Sequence, residues 1–204
     1  DALRLVRRRG ELMFESGAKR PGAMAAILGL SEANVEAACT RALEVGDVVP
    51  ANYNTPEQLV ISGEVAAVER AMAIAKELGA KRAIRLNVSG AFHSPLMEEA
   101  AAGLKVALDA APIAATDFPI YSNVSAQPSA GSEDAKKLLL RQLTSPVRWT
   151  ELVQRMAADV PNALYGERWP GAVVSTMVKR IVPGANTMTC GTPTEVEQLL
   201  AAVA

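Results

Sequence analysis

Residues 22–88 read GAMAAILGLSEANVEAACTRALEVGDVVPANYNTPEQLVISGEVAAVERAMAIAKELGAKRAIRLNV, and in this stretch each of two helical segments is flanked by β-like runs. Ala23–Leu28 is a short apolar run, the pattern of a strand buried on both faces. Ser31–Val45 carries Val35, Ala38, Cys39 and Ala42 at helical spacing behind Ser31, a residue type that caps helix N-termini. Val48–Asn54 and Gln58–Ser62 are β-like runs separated by a Thr55-Pro56 turn. Glu64–Leu78 places Val65, Val68, Met72 and Ala75 on one helical face, Gly79 suits the residue after a helix end, and Arg82–Val88 is a fourth β-like run. The order β-α-β-β-α-β is that of the split-βαβ, ferredoxin-like unit.

The N-terminal side of this stretch reads as an amphipathic helix. Arg4, Arg7, Arg8 and Glu11 share one face, and Ala2, Leu5, Val6, Leu12 and Met13 the other. Arg9 breaks the pattern, because its neighbours at the i±3 and i±4 spacings are Leu5, Val6, Leu12 and Met13. A guanidinium on an apolar face needs an anion, and either a bound carboxylate ligand or a structural ion pair would supply one. On the C-terminal side, Ser94-Pro95 opens a helix that runs to about Asp109. Further helices are predicted over Glu133–Leu143, after Pro146, over Ala172–Ile181 and over Pro193–Val203, with strands at Pro119–Val124 and Ala163–Tyr165. Two strands are too few to cover so many helices. The expected architecture is therefore α/β, with residues 22–88 inserted as a ferredoxin-like subdomain into a larger α/β core built partly from residues 1–21 and 89–204.

Composition removes several function classes. The chain has 204 residues, 21 Lys+Arg against 22 Asp+Glu, one histidine and two cysteines. No global field favours nucleic acid or an anionic membrane. Cys39 and Cys190 lack metal-ligand spacing, so no metal site is expected. No uncharged run reaches the about eighteen apolar residues that a bilayer requires, and no secretory leader is visible. A protein of a reducing, cytoplasmic compartment is expected.

His93 is the only imidazole available for base catalysis near neutral pH. It lies in a strand-to-helix loop just before Ser94, where the helix dipole favours the neutral ring, and its bland alternative is a solvated loop histidine. Lys81-Arg82 could hold a phosphate or be a wet strand end. Cys39 reads as packing, and Cys190 has no second histidine to activate it. No G-x-S-x-G elbow, Walker loop or dinucleotide fingerprint occurs.

The run Val88-Ser89-Gly90-Ala91-Phe92-His93-Ser94-Pro95-Leu96-Met97 closely resembles the histidine motif of malonyl-CoA:acyl carrier protein transacylases, acyltransferases of fatty-acid synthesis. Further matches follow in the family's order: Arg9-Gly10, Gly22-Ala23-Met24-Ala25-Ala26, the run Asn52-Tyr53-Asn54-Thr55-Pro56-Glu57-Gln58-Leu59-Val60-Ile61-Ser62-Gly63, and Arg141-Gln142-Leu143 leading to Pro146-Val147-Arg148-Trp149. The resemblance spans nearly the whole chain. It implies a hydrolase-like α/β acyltransferase core with an inserted ferredoxin-like subdomain, and transfer of malonyl from malonyl-CoA to the phosphopantetheine thiol of acyl carrier protein. His93 would be the base, oriented by the backbone carbonyl of Gln142, and Arg9 would clamp the malonyl carboxylate. Lys81 and Arg82 would face CoA phosphates or the acidic carrier, with Asn52 and Asn54 near the same cleft, and Phe92 would favour malonyl over methylmalonyl. No permanently bound cofactor is implied, malonyl-CoA and the carrier's phosphopantetheine being substrates, and the full-length enzyme would be a monomer.

Two departures from that pattern matter. The family's nucleophilic serine, in a G-H-S-L-G elbow upstream of the arginine helix, and its glycine-rich oxyanion loop do not occur in these residues. The resemblance then implies the C-terminal part of such an enzyme, inactive by itself. Gly166-Glu167-Arg168-Trp169-Pro170-Gly171 also differs from the family's E-x-G-P-G turn. The competing expectation is non-catalytic: a ferredoxin-like binding module for an acidic ligand or carrier protein.

Overall fold

A computed structural model describes residues 1–203. Helix α1 (Ala2–Lys19) leads into β1 (Gly22–Leu28), α2 (Glu32–Ala42), β2 (Val48–Thr55), β3 (Gln58–Glu64), α3 (Val65–Glu77) and β4 (Arg82–Arg85). These four strands form one antiparallel sheet in the order β2-β3-β1-β4. β3 lies between β1 and β2, and β1 lies between β3 and β4, so each β-α-β half is split by a strand of the other. β1 is buried on both faces, as its unbroken apolar run requires. Ala23, Ala25 and Ile27 pack with Leu59 and Ile61 against Val35, Ala38, Ala42, Ala67, Val68, Ala71 and Ile74 of the two helices. On the opposite face Met24 and Ala26 meet Ala51, Val60, Leu86 and Phe92. The alternation of side chains along β1 thus seats Phe92, and with it the neighbouring His93, on the sheet face away from the helices.

The remaining chain forms α4 (Glu98–Ala110), β5 (Tyr121–Ser122), β6 (Gln127–Pro128), α5 (Ser132–Arg141), α6 (Trp149–Asp159), β7 (Leu164–Glu167), α7 (Val173–Ile181), β8 (Asn186–Thr189) and α8 (Pro193–Val203). β7 and β8 pair in parallel and β5 and β6 antiparallel. The sequence predicts two strands here, whereas four short ones form. β8, Asn186-Thr187-Met188-Thr189, carries almost no apolar signal because its strand geometry comes from pairing with β7 and not from local burial. The predicted Pro119–Val124 strand contracts to two residues, and β4 ends at Arg85, with only Leu86 N–H still donating to Met24 O at 2.9 Å. Among the described residues no helix is long and apolar enough to cross a membrane, and no group of three or more His, Cys, Asp or Glu could hold a metal ion.

Helix α1 packs chiefly on α4. Leu12 and Met13 meet the buried Met97, Ala100, Leu104 and Leu108 in a separate cluster that also includes Leu143. Each such side chain contributes about 1.5–3 kcal/mol on burial, which fixes the helix that carries Arg9. The apolar face read from the helical spacing holds for Leu12 and Met13 and fails for Ala2, which is exposed, and for Val6, which stands 66% exposed. The buried stripe continues instead to Ser16 and Gly17.

Gly17 is where α1 touches the histidine loop. A Cβ built there would lie 2.4 Å from the Ser89 carbonyl oxygen, whereas a Cβ at Gly10 would meet nothing within 4 Å. Ordinarily Gly→Ala inside a helix gains about 1 kcal/mol. Gly10→Ala is expected to show that gain. Gly17→Ala is expected to reverse it and destabilise by about 1–3 kcal/mol, because backbone must move. Urea unfolding of the two variants measures the difference, and equal stabilisation of both would contradict the close approach.

Candidate active site

His93 follows directly from the second face of the sheet. Its φ is +58°, left-handed for a residue with a Cβ, a conformation that His tolerates better than most. The turn is locked on both sides: Ser94 Oγ donates to Ala91 O at 2.6 Å and accepts from Leu96 N–H at 3.3 Å. Ser94 thus caps a single 3₁₀ turn, Pro95–Met97, which precedes α4. Ser16 Oγ of α1 donates to Leu96 O at 3.1 Å and ties the arginine helix to this turn. A serine on the buried face of α1 was the available signal for that tie, and the sequence reading passed over it.

Gln142 arrives from the opposite direction. It caps the C-terminus of α5, where the last carbonyls of a helix have no intrahelical partner. Its carbonyl oxygen lies 2.9 Å from His93 Nδ1. A carbonyl only accepts, so Nδ1 carries the proton and Nε2 keeps its lone pair. The segment after Gln142 is pinned to the edge strand β2: Val147 N–H donates to Ala51 O at 2.8 Å and Tyr53 N–H to Val147 O at 2.9 Å. Asn52 bridges Val147 through this main-chain pairing. The tertiary pairing, invisible in local pattern, is what brings a residue 49 positions away to the histidine.

Burial pushes the His93 pKa below the ordinary imidazole value of 6.5. The Gln142 carbonyl opposes this shift, the nearby Arg9 charge reinforces it, and the Ser145 carbonyl opposes it more weakly. The ring is therefore neutral at pH 7, the form a base requires. A groove of about 530 Å³ opens beside it, with Cys39, Tyr53, Thr144 and Pro146 in its walls. The Cys39 thiol is pushed up to about 12, mainly by burial, so it is no nucleophile at neutral pH. Tyr53 donates to Glu36 Oε1 at 3.2 Å, and burial together with the Glu36 charge raises its pKa.

Arg9 is half-buried, and its Nη2 donates to Gln142 Oε1 at 2.6 Å. Among the described residues no carboxylate lies within 4.0 Å of its guanidinium, so the structural ion pair left open by the sequence does not form. Its charge faces a neutral amide and is left uncompensated. Phe92 packs between the α1–α4 cluster and the sheet. Arg9, Phe92, His93 and Gln142 are thus gathered in one place, with Asn52 attached through Val147.

Lys81 and Arg82 are not part of that gathering. Arg82 pairs with Leu28 at the far end of β1, while Ala91 packs at Gly22. Six strand steps of about 3.3 Å, or about 20 Å, separate the two ends. There Lys81 and Arg82 line a second cavity of about 530 Å³ with Thr55, directly after Asn54. Arg180 of α7 completes its cationic wall. The sequence showed Lys179-Arg180 only as a helix end, since nothing local links α7 to β4.

Among the described residues the divergent Gly166–Gly171 stretch is structural at Glu167. Its carboxylate accepts from Val174 N–H at 3.0 Å, Ser175 N–H at 2.8 Å and Ser175 Oγ at 2.6 Å, closing the start of α7. Burial alone would raise its pKa, but these bonds outweigh it and the carboxyl is held below the usual range.

Residues 1–176 match the family described as Acyl transferase domain. The chain belongs to that acyl transferase family. The chain is 43% identical over 198 residues to the malonyl CoA-acyl carrier protein transacylase of Bacillus subtilis, covering 97% of the chain and 62% of the relative. It superposes on the acyl-carrier-protein S-malonyltransferase of Bartonella henselae with a TM-score of 0.94 at 40% identity, over 98% of the chain and 63% of that structure. It also superposes on the malonyl-transacylase solved in complex with its type II PKS acyl-carrier protein, with a TM-score of 0.93 at 37% identity, over 98% and 65%. The chain thus spans somewhat under two thirds of the length of these relatives.

Proposed function

We propose that this chain carries the base and the carboxylate receptor of a malonyl transferase. In this reading malonyl passes from malonyl-CoA to the phosphopantetheine thiol of an acyl carrier protein through an acyl-serine ester, the serine lying outside these 204 residues. The single observation that carries the reading is the convergence on Gln142. A neutral imidazole and an uncompensated guanidinium, 84 positions apart in sequence as Arg9 and His93, are held by one residue. A substrate with a reacting carbonyl two bonds from a free carboxylate needs that pair.

The steps balance as follows. His93 Nε2 takes the serine Oγ proton as Oγ attacks the thioester carbonyl; the C–O bond forms, the C–S bond breaks, and the CoA sulfur leaves with the proton. In the second half Nε2 takes the pantetheine S–H proton, the sulfur attacks the ester, and the serine oxygen leaves with that proton. Throughout, Arg9 holds the malonyl carboxylate in a bidentate pair. Phe92, wedged between sheet and α1, limits the room beside the acyl group and favours malonyl over a branched homologue. Asn52 and Asn54 flank Tyr53, which stands in the wall of the groove beside His93, and in this reading would lie near the approach. Lys81, Arg82 and Arg180, about 20 Å from the base by strand count, suit the phosphate of a pantetheine arm or the acidic carrier itself. Malonyl-CoA and the carrier's phosphopantetheine enter as substrates, the scheme uses no resident cofactor, and a cytoplasmic setting follows from those partners.

The test joins this chain to the serine-bearing N-terminal segment of a family member and incubates it with malonyl-CoA and holo acyl carrier protein. A malonyl ester on the serine, followed by malonyl on the carrier thiol, is expected by mass spectrometry. Tight carrier binding with no ester would instead favour the non-catalytic binding module.

A further inference from the structure

Gln142 is used twice, and its two contacts differ in kind. The main-chain carbonyl that meets His93 Nδ1 at 2.9 Å is a property of the α5 end, independent of the side chain. The Oε1 that accepts from Arg9 Nη2 at 2.6 Å belongs to the amide alone. Arg9 has few other restraints. Leu5, Leu12 and Met13, its neighbours at helical spacing, offer no acceptor. An arginine head so placed would otherwise sample many rotamers, and a substrate would have to order it on binding. A neutral amide oxygen fixes the head without cancelling its charge, whereas a carboxylate at the same position would fix it equally well and occupy it.

We infer that the Gln142 side chain is a positioning residue, holding the Arg9 guanidinium as a preorganised and uncompensated carboxylate receptor at the same point where its main chain holds the base. Orientation of base and receptor is thereby set by a single residue, so the distance between proton acceptor and carboxylate clamp is fixed before substrate enters. The inference rests on the malonyl-transfer reading above and adds to it a determinant of acyl selectivity.

The test compares Gln142→Ala, Gln142→Glu and Arg9→Ala in the same serine-completed protein, with malonyl-CoA and acetyl-CoA as donors. Gln142→Ala is expected to raise the malonyl KM about tenfold while kcat changes by less than about threefold, because ordering is lost but the base remains held. Gln142→Glu, which matches the parent side chain in size, is expected to raise the malonyl KM further than alanine does, because its carboxylate occupies the guanidinium. In both variants the acetyl parameters move less than the malonyl ones; the acid limb of kcat/KM stays where it is in the parent for Gln142→Ala and moves to higher pH for Gln142→Glu, whose carboxylate offsets the Arg9 charge that lowers the His93 pKa. A purely structural role would instead lower kcat for both donors together. The inference is overturned if Gln142→Glu is no worse than Gln142→Ala, or if neither variant moves the malonyl KM while Arg9→Ala does. If Arg9→Ala itself leaves the malonyl-to-acetyl ratio unchanged, the functional reading beneath it fails as well.

Discussion

His93→Ala in the serine-completed protein is expected to lower kcat for malonyl transfer by about 10²–10⁴-fold, the range that a positioned general base contributes. The chain has no second imidazole to take over the role. Nδ1 is committed to the Gln142 carbonyl and the backbone holds the ring in a left-handed turn, so Nε2 has one orientation. The same structure fixes the sign of the pH dependence. Burial holds the folded-state pKa of His93 below 6.5, so the base form persists as pH falls past that value and is lost only below it. The acid limb of the parent's kcat/KM therefore lies below pH 6.5, and His93→Ala removes that limb along with most of the rate. The added elbow segment brings a histidine of its own, so the His93 ring resonance is identified as the one that His93→Ala removes, and its midpoint should coincide with the kinetic limb. A variant that acylates at the parental rate, or a ring midpoint above 6.5, would sink the assignment of the base.

Much of the fold was legible because its signals are local. The apolar run of β1, the helical spacing of Val35, Ala38 and Ala42, and the Thr55-Pro56 turn each announce an element by themselves, and their order leaves few ways to build the sheet. What failed to read through was pairing over distance. β8 is a strand because β7 lies beside it, and Val147 lies along β2 because that strand is an open edge. The candidate site divides along the same line. Arg9 was visible as a charge on the wrong face of a helix, and His93 as the lone imidazole. Gln142 was found only through the resemblance, since no local pattern distinguishes a glutamine whose carbonyl and amide both face inward. Arg180 escaped for the same reason, being 98 positions along the chain from Arg82, whose cavity it completes.

Arg9→Ala is expected to abolish the preference for malonyl over acetyl. Truncating one partner of a desolvated charge pair costs about 2–5 kcal/mol, which is roughly 30-fold to several-thousand-fold in kcat/KM for the charged donor. The acetyl donor, which has no carboxylate, loses nothing by the change and is relieved of an uncompensated charge beside its methyl group, so its kcat/KM should hold or rise. The ratio of the two donors therefore falls from both ends. Arg9→Lys separates geometry from charge. An ammonium keeps the positive charge yet lacks the planar fork that meets both carboxylate oxygens and the Gln142 oxygen at once, so it should restore only part of the ratio. An unchanged ratio in Arg9→Ala would mean that the guanidinium faces no substrate carboxylate. Its neutral amide partner argues against that outcome: a half-buried cation without a counter-ion costs stability in the free protein, and that cost is offset once an anionic ligand arrives to share the site.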